Sequence, residues 1–439
     1  MHRQTRSRGD ALKGVPWHVD ANGVPPTSLP SQLSRTWHGR TGAWFGGASL
    51  FRAVAKAADR WPWLVVLLTT VTAALLNSDL AMGATDWNIF AGPGRGFWIG
   101  DAGALLSDPV VQAGPLTLIG VGLIDILIQV DEPWHNALSV IVCCTLSCAG
   151  LIILVRVVTR GAGALQRGAL VIGAVGLAVT WTFLRGNNGH PTHVLLPILW
   201  FLAARALQRG MGGRAGCYLG IALGLDTWGI FGAGLVLASD RPRTGLRACA
   251  AGVGVAALCW VPFALSGPVR SFDLAWAASP GSLPGLLFED VTVPWSYRLW
   301  QGLLCVIVGA LAAIWLRRSP DLCWVFPLVV VGARLVTDPI FFAYYRTPLQ
   351  LMALVGTCAL ISRRDKRWIW AALTCYLAAL TIPAGLFISQ APVMICIVVL
   401  AWVLRSQPPH GPAQAADTIP PGVAGTYRPV APGGLSSLR

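Results

Sequence analysis

Long uninterrupted apolar stretches limit this chain more than any other feature. They run near 61–82, 114–130, 134–155, 168–184, 192–208, 215–238, 246–265, 298–316, 322–337, 347–362, 367–387 and 391–404. Most are long enough to cross a hydrocarbon core about 30 Å thick. They are continuous, not alternating, so helices rather than barrel strands satisfy the backbone in lipid. Composition points the same way: 54% of the 439 residues are hydrophobic and 12% charged, against roughly 25% charged in a soluble domain. The expectation is an all-α polytopic protein of the plasma membrane, with 10–13 transmembrane helices within 61–404. Residues 1–60 and 405–439 are polar, basic or rich in Pro, Ala and Gly. They are expected to be disordered cytoplasmic ends. No cleavable leader is expected, because the first apolar run begins so late.

The net charge of +14 comes almost entirely from arginine; only Lys13, Lys56 and Lys366 are lysine. The basic residues cluster between apolar stretches, as in Arg205/Arg209/Arg214, Arg241/Arg243/Arg247 and Arg363/Arg364/Lys366/Arg367. That is the positive-inside pattern. No basic face interleaved with aromatics is present, so nucleic acid is not an expected partner. The N-terminus then faces the cytoplasm, and 83–113 becomes a long first extracytoplasmic loop. Basic residues flank 215–238 on both sides, and both flanks belong on one membrane face. A broken hairpin hinged near Asp226-Thr227 resolves this, since irregular backbone at depth is tolerated where it lines a cavity. A similar parity problem at 114–155 leaves the number of crossings open.

The eleven cysteines lie in or beside apolar segments, with no C-x-x-C and no zinc-like Cys/His spacing. They read as small hydrophobes. No P-loop and no G-x-G-x-x-G occurs, so a cytosolic nucleotide donor has no docking motif.

Polar residues gather instead on the outer side. Asp86 follows the first apolar segment and is placed to act as general base on a hydroxyl, or simply as a solvated loop acid. Trp87, Phe90, Phe97 and Trp98, among several glycines, are expected at the interface. His190 stands before Pro191, which disfavours helix at the preceding residue. Its imidazole suits proton transfer or acceptor orientation, or else capping. Arg334 and Asp338 are four apart and share a helix face, so they pair with one another or leave the guanidinium for a phosphate, beside Tyr344, Tyr345 and Arg346. Asp125 and Asp226 sit inside apolar segments, where carboxylates are costly; Asp226 is placed to cap the second arm of the hairpin.

Four motifs carry a resemblance: Asp86-Trp87-x-x-Phe90, Pro109-x-x-Gln112-x-Gly114-Pro115-Leu116, Gly189-His190-Pro191 and Asp338-Pro339-x-x-Phe342-x-Tyr344-Tyr345-x-x-Pro348. Together they resemble actinobacterial integral-membrane glycosyltransferases of the GT-C superfamily, nearest to the polyprenyl-phosphate-mannose-dependent α-mannosyltransferases. The resemblance implies a GT-C-like fold and inverting transfer of a sugar, mannose above all, at the outer membrane face. Donor and acceptor would be a polyprenyl-phosphate sugar and an envelope glycolipid or glycan. It implies Asp86 as base and His190 on the acceptor side. Arg346 or Arg334 would hold the donor phosphate, with Asp338, Tyr345 and Gln112 at the substrate. No cofactor beyond the lipid carrier is implied, although some relatives use a divalent metal.

Two positions depart from that pattern. Relatives often carry an aromatic residue where this chain has Ala104-Leu105-Leu106-Ser107, and a lysine at the hinge that here reads Leu225-Asp226-Thr227-Trp228. The second departure keeps open a catalytically inactive relative acting in envelope assembly. A transporter or flippase of lipid-linked glycans is the other alternative. It would show internal repeats and midplane charges, of which only Asp125 and Asp226 are present.

Overall fold

The structure is a computed structural model. It describes residues 42–76, 85–128, 134–178, 190–287, 292–317, 319–340 and 342–363. The apolar stretches expected at 367–387 and 391–404, the tail 405–439 and residues 1–41 lie outside the described residues. Contacts divide the chain into Met1–Arg52 and Ala53–Arg439.

The chain is mostly helical. In order come α1 (Gly42–Arg60), α2 (Pro62–Leu76), α3 (Thr85–Trp98), α4 (Pro115–Leu127), α5 (Trp134–Val158), α6 (Ala164–Ala178), α7 (Thr192–Gln208) and α8 (Gly212–Leu225). A 3₁₀ arm (Thr227–Ala238) leads to α9 (Pro242–Ser266), α10 (Leu283–Leu287), α11 (Trp295–Leu316), α12 (Val325–Thr337), a short 3₁₀ turn (Ala343–Arg346) and α13 (Thr347–Ser362). One two-stranded antiparallel ladder, β1 (Trp276–Ala277) with β2 (Thr292–Val293), pairs Trp276 with Val293.

Among the described residues three helices are long and apolar enough to cross a membrane: Ala137–Val158, Pro242–Ser266 and Trp295–Leu316. Others, such as α4 and α12, are apolar but shorter. Their outward faces carry large apolar side chains, including Val253, Leu258, Leu265 and Trp300, all at least 70% exposed. Continuous apolar surface of this kind fits lipid better than water, so the protein is membrane-associated. Within, α12 and α13 are buried almost throughout, from Val325 to Leu335 and from Thr347 to Leu360.

The hairpin at 215–238 is present. Helix α8 ends at Leu225, Asp226 is extended, and the 3₁₀ arm returns along α8 so that Gly229 faces the Ala222 backbone and Gly232 lies by Leu219. A 3₁₀ helix rises about 2.0 Å per residue, so twelve residues reach about as far as the fourteen of α8 at about 1.5 Å each. Helix α9 then runs parallel to α8. Gly212, Gly216, Gly220 and Gly224 form a stripe on α8 that meets Thr244, Ala248, Gly252 with Val255, and Cys259 in turn. Small residues every fourth position let two backbones approach. The basic flanks of the hairpin therefore share one end, as the charge pattern requires.

Two sequence expectations need correction. Residues 42–60, within the expected disordered extension, form α1. Its Ala55 and Ala58 are buried, and Gly168 of α6 lets the Ala55 backbone approach closely. The segment expected as a long first extracytoplasmic loop is also not irregular throughout. Residues 85–98 form α3 despite three glycines and Pro93. Trp87 and Phe90 are buried, not interfacial. Helix α3 crosses α4 where Gly94 meets Gly122, and Asp125 of α4 accepts from Trp87 Nε1 at 3.3 Å and pairs with Arg95 at 2.9 Å. Long-range packing thus overrides low helix propensity, and the buried Asp125 serves that crossing.

Candidate active site

Four separate parts of the chain converge at one end of the helices. Helix α3 carries Asp86 in its first turn. The segment before α4 is tied to the hairpin hinge by an antiparallel bridge between Ala113 and Asp226. The Leu225 carbonyl there accepts from Gly114 N at 2.9 Å and Thr117 Oγ1 at 2.6 Å. Gln112 and Asp226 are set beside each other by this join. Helix α7 begins at Thr192, just after His190 and Pro191, so His190 and His193 lie on one face. The 3₁₀ turn after α12 supplies Tyr344 and Tyr345.

Their side chains surround a cavity of about 270 Å³, with Asp86, Gln112, His190, Asp226, Tyr344 and Tyr345 on its wall. Asp86 Oδ2 lies 2.6 Å from His190 Nε2, and both side chains are less than one-fifth exposed. The Tyr344 hydroxyl also donates to Asp86. Burial first, then the neighbouring Tyr345 and the Asp86 carboxylate, push the Tyr344 phenol far above its usual range, so it stays protonated. A carboxylate held by two donors is fixed in direction and keeps lone pairs for a third.

The rings form a cluster of nearly parallel planes. His190 lies 4.8 Å from His193 with rings 5° apart and 4.8 Å from Tyr344, while His193 lies 5.2 Å from Tyr344 and 4.9 Å from Trp228. Asp226 accepts from Trp228 N at 3.0 Å, capping the 3₁₀ arm. Gln112 Nε2 is buried, faces the cavity, and has no hydrogen-bond partner among the described residues. A buried donor of this kind calls for a ligand or water.

Of the residues singled out by sequence, Asp86, Gln112, His190 and Tyr345 meet at this cavity; Arg334, Asp338 and Arg346 do not line it. Arg334 is buried behind the wall, packed against the Trp228 ring and 4.5 Å from the Tyr345 ring centroid. Its guanidinium pairs with Asp338 at 3.0 Å, and Asp338 also accepts from Arg298 at 2.9 Å. Arg346 is half-buried in the 3₁₀ turn. The residues 185–189 that precede His190 lie outside the described residues.

Sequence reasoning assigned no role to Tyr344 at Asp86, to the His193–Trp228 stack, or to Arg298. The last had a signal: a charged residue near the start of an apolar segment calls for a partner. Among the described residues no group of three or more His, Cys, Asp or Glu side chains is arranged to hold a metal ion. Comparison of the chain with protein-family models, curated proteins and solved structures returns no match.

Proposed function

We propose that the protein is a multi-pass plasma-membrane glycosyltransferase of GT-C-like architecture. It moves a sugar, mannose in the first instance, from a polyprenyl-phosphate donor to an envelope glycolipid or glycan at the outer face. The observation carrying this reading is the Asp86 carboxylate, oriented by His190 and Tyr344 on the wall of a pocket of about 270 Å³.

In the proposed step an acceptor hydroxyl attacks the anomeric carbon from the side opposite the phosphate. Its proton passes to Asp86 as the new carbon–oxygen bond forms. The bond to the phosphate oxygen breaks, and polyprenyl phosphate leaves with the electron pair. Base assistance of this kind is worth about 10²–10⁴ in rate. His190 and Tyr344 position the base, the half-buried Trp228 ring on the cavity wall suits the C–H face of a sugar ring, and Gln112 Nε2 supplies a donor for a sugar oxygen. Arg346 and Arg334 remain the candidates for the donor phosphate. Arg334 would reach it only after leaving Asp338 and the Trp228 ring.

Asp226 favours a second reading. It puts a carboxylate on the cavity wall where the GT-C relatives often carry lysine, and a negative charge there opposes a phosphate. A catalytically inactive relative in envelope assembly would tolerate it. One assay separates the two: purified protein with radiolabelled polyprenyl-phosphate mannose and a crude envelope lipid extract. The transferase forms a larger labelled glycolipid, and Asp86→Asn lowers the rate by about 10²–10⁴. Undiminished transfer by that variant removes Asp86 from the mechanism; no transfer by the unmodified protein favours the inactive relative.

A further inference from the structure

The opposite end of the helices carries two adjoining depressions that share Val157 and Arg160 at the end of α5. The first, about 260 Å³, is walled by Arg160, Arg205, Arg209 and Arg363, with Asp321 the one carboxylate on its wall. The second, about 590 Å³, runs between α2 and α5. Its sides are apolar (Trp63, Val66, Ile152 and Ile153), and Arg156, Arg160 and Arg167 stand along one end.

The charges in these depressions are unequally satisfied. Asp59 takes Arg167 through two hydrogen bonds of 2.6 and 2.8 Å and lies 3.5 Å from Arg156. The bond from Arg167 holds the Asp59 carboxyl below its ordinary range. Arg363 pairs with Asp321 at 3.3 Å. Among the described residues the Arg205 guanidinium donates to one backbone carbonyl, that of Val157, at 3.3 Å, and makes no ion pair, although Asp321 stands near enough to attract it. Arg160 and Arg209 make no ion pair and no side-chain hydrogen bond among the described residues, yet both stand close enough to Arg205 to repel it. Like charges gathered around one hollow raise its affinity for an anion. An apolar trough opening beside such a hollow gives the site the outline of a lipid.

We propose that this end binds one anionic phospholipid, its phosphate among Arg160, Arg205 and Arg209 and an acyl chain in the trough between α2 and α5. Guanidinium groups match phosphate oxygens in geometry and charge, and basic hollows between membrane helices suit phosphorylated head groups. A soluble phosphate would use the same arginines but leave the trough without purpose. The proposal is independent of the transferase reading, since no residue of the cavity at Asp86 takes part.

The full-length protein, stripped of lipid in detergent, tests it by native mass spectrometry and by tryptophan fluorescence during heating. Dioleoylphosphatidylglycerol is expected to be retained as one molecule per chain and to raise the melting temperature, and dioleoylphosphatidylcholine to do neither. Arg160→Gln/Arg209→Gln should weaken retention by about thirtyfold, the scale of two basic side chains near a lipid surface. Among the described residues neither arginine holds a side-chain partner, so the unliganded melting temperature should stay the same. Ile153→Trp, which fills the trough without changing charge, should also displace the lipid. Equal retention of phosphatidylcholine, or unchanged phosphatidylglycerol binding in both variants, overturns the proposal. So does a melting shift reproduced by inorganic phosphate alone with no lipid retained.

Discussion

Asp86 and Asp338 are both aspartates in motifs that pointed to a substrate, and the structure gives them opposite circumstances. Asp86 faces a hollow and is held by two side chains that leave room for a third partner. Asp338 is fully buried, and its oxygens are taken by Arg298 and Arg334. Removing the negative charge from such a group leaves two buried guanidinium groups uncompensated, which costs about 3–5 kcal/mol. Asp338→Asn is therefore expected to lose stability by about that amount in chemical unfolding, while Asp86→Asn keeps a near-normal unfolding midpoint and loses transfer. If Asp338 instead contacts substrate directly, its asparagine variant unfolds normally and shows only a raised KM. At this scale the sequence was half legible. Four of the seven marked residues meet at one cavity because their motifs begin or end helices, where side chains project from the bundle. The i, i+4 spacing of Arg334 and Asp338 fixed their pairing. It did not say which side of α12 the pair would occupy; that depends on Trp228, more than a hundred residues away in the chain.

Among the elements, the hairpin was readable and α3 was not, for reasons that differ in kind. Basic flanks on both sides of 215–238 made a single crossing untenable, and the break falls at Asp226 as that argument required. The charge signal is local and survives into the fold. Helix α3 has glycines at 92, 94 and 96 and proline at 93, each unfavourable inside a helix by about 1 kcal/mol or more. What holds it is α4, through the Gly94–Gly122 crossing and the Asp125 pairing with Arg95 and Trp87. Such compensation is invisible to propensity. The glycine stripe on α8 went unread in the sequence, although Gly212, Gly216, Gly220 and Gly224 repeat every four residues. It makes a sharp prediction. A side chain at Gly216 would run into the Ala248 carbonyl and Ala251 of α9. Gly216→Val is expected to cost at least about 1–3 kcal/mol, as overpacking does, whereas Gly213→Val, with open space around it, should leave stability unchanged or raise it by a few tenths of a kcal/mol, because valine favours helix slightly more than glycine. Equal unfolding midpoints for the two variants would show that α8 and α9 do not pack along this stripe.

For the molecule as a whole, the placement of the two ends decides how every functional proposal is read. The cavity at Asp86 sits where the segments before α4, before α7 and after α12 converge with the start of α3. The loop after α9 joins them, through Arg270 N to Leu106 O at 2.8 Å and Ser279 N to Pro339 O at 2.8 Å. The arginine-lined hollows sit where α5, α7 and α13 end. On the proposed reading, positive-inside bias would assign the arginine end to the cytoplasm and would put Asp86 outside. The α8 hairpin makes this arrangement testable, because the starts of α8 and α9 lie together while the loop after α9 joins the opposite end. Cysteines introduced one at a time at Gly213, Arg243 and Asp273, in a background with Cys217, Cys249, Cys375 and Cys396 changed to serine, report the sides. With a membrane-impermeant maleimide on intact cells, Asp273→Cys is expected to label, and Gly213→Cys and Arg243→Cys to label only after the membrane is opened. Labelling of Gly213→Cys and Arg243→Cys on opposite sides would break the hairpin. Labelling of both from outside would invert the molecule. Asp86 would then face the cytoplasm, where a sugar carried to the outer face on a polyprenyl phosphate could not meet it.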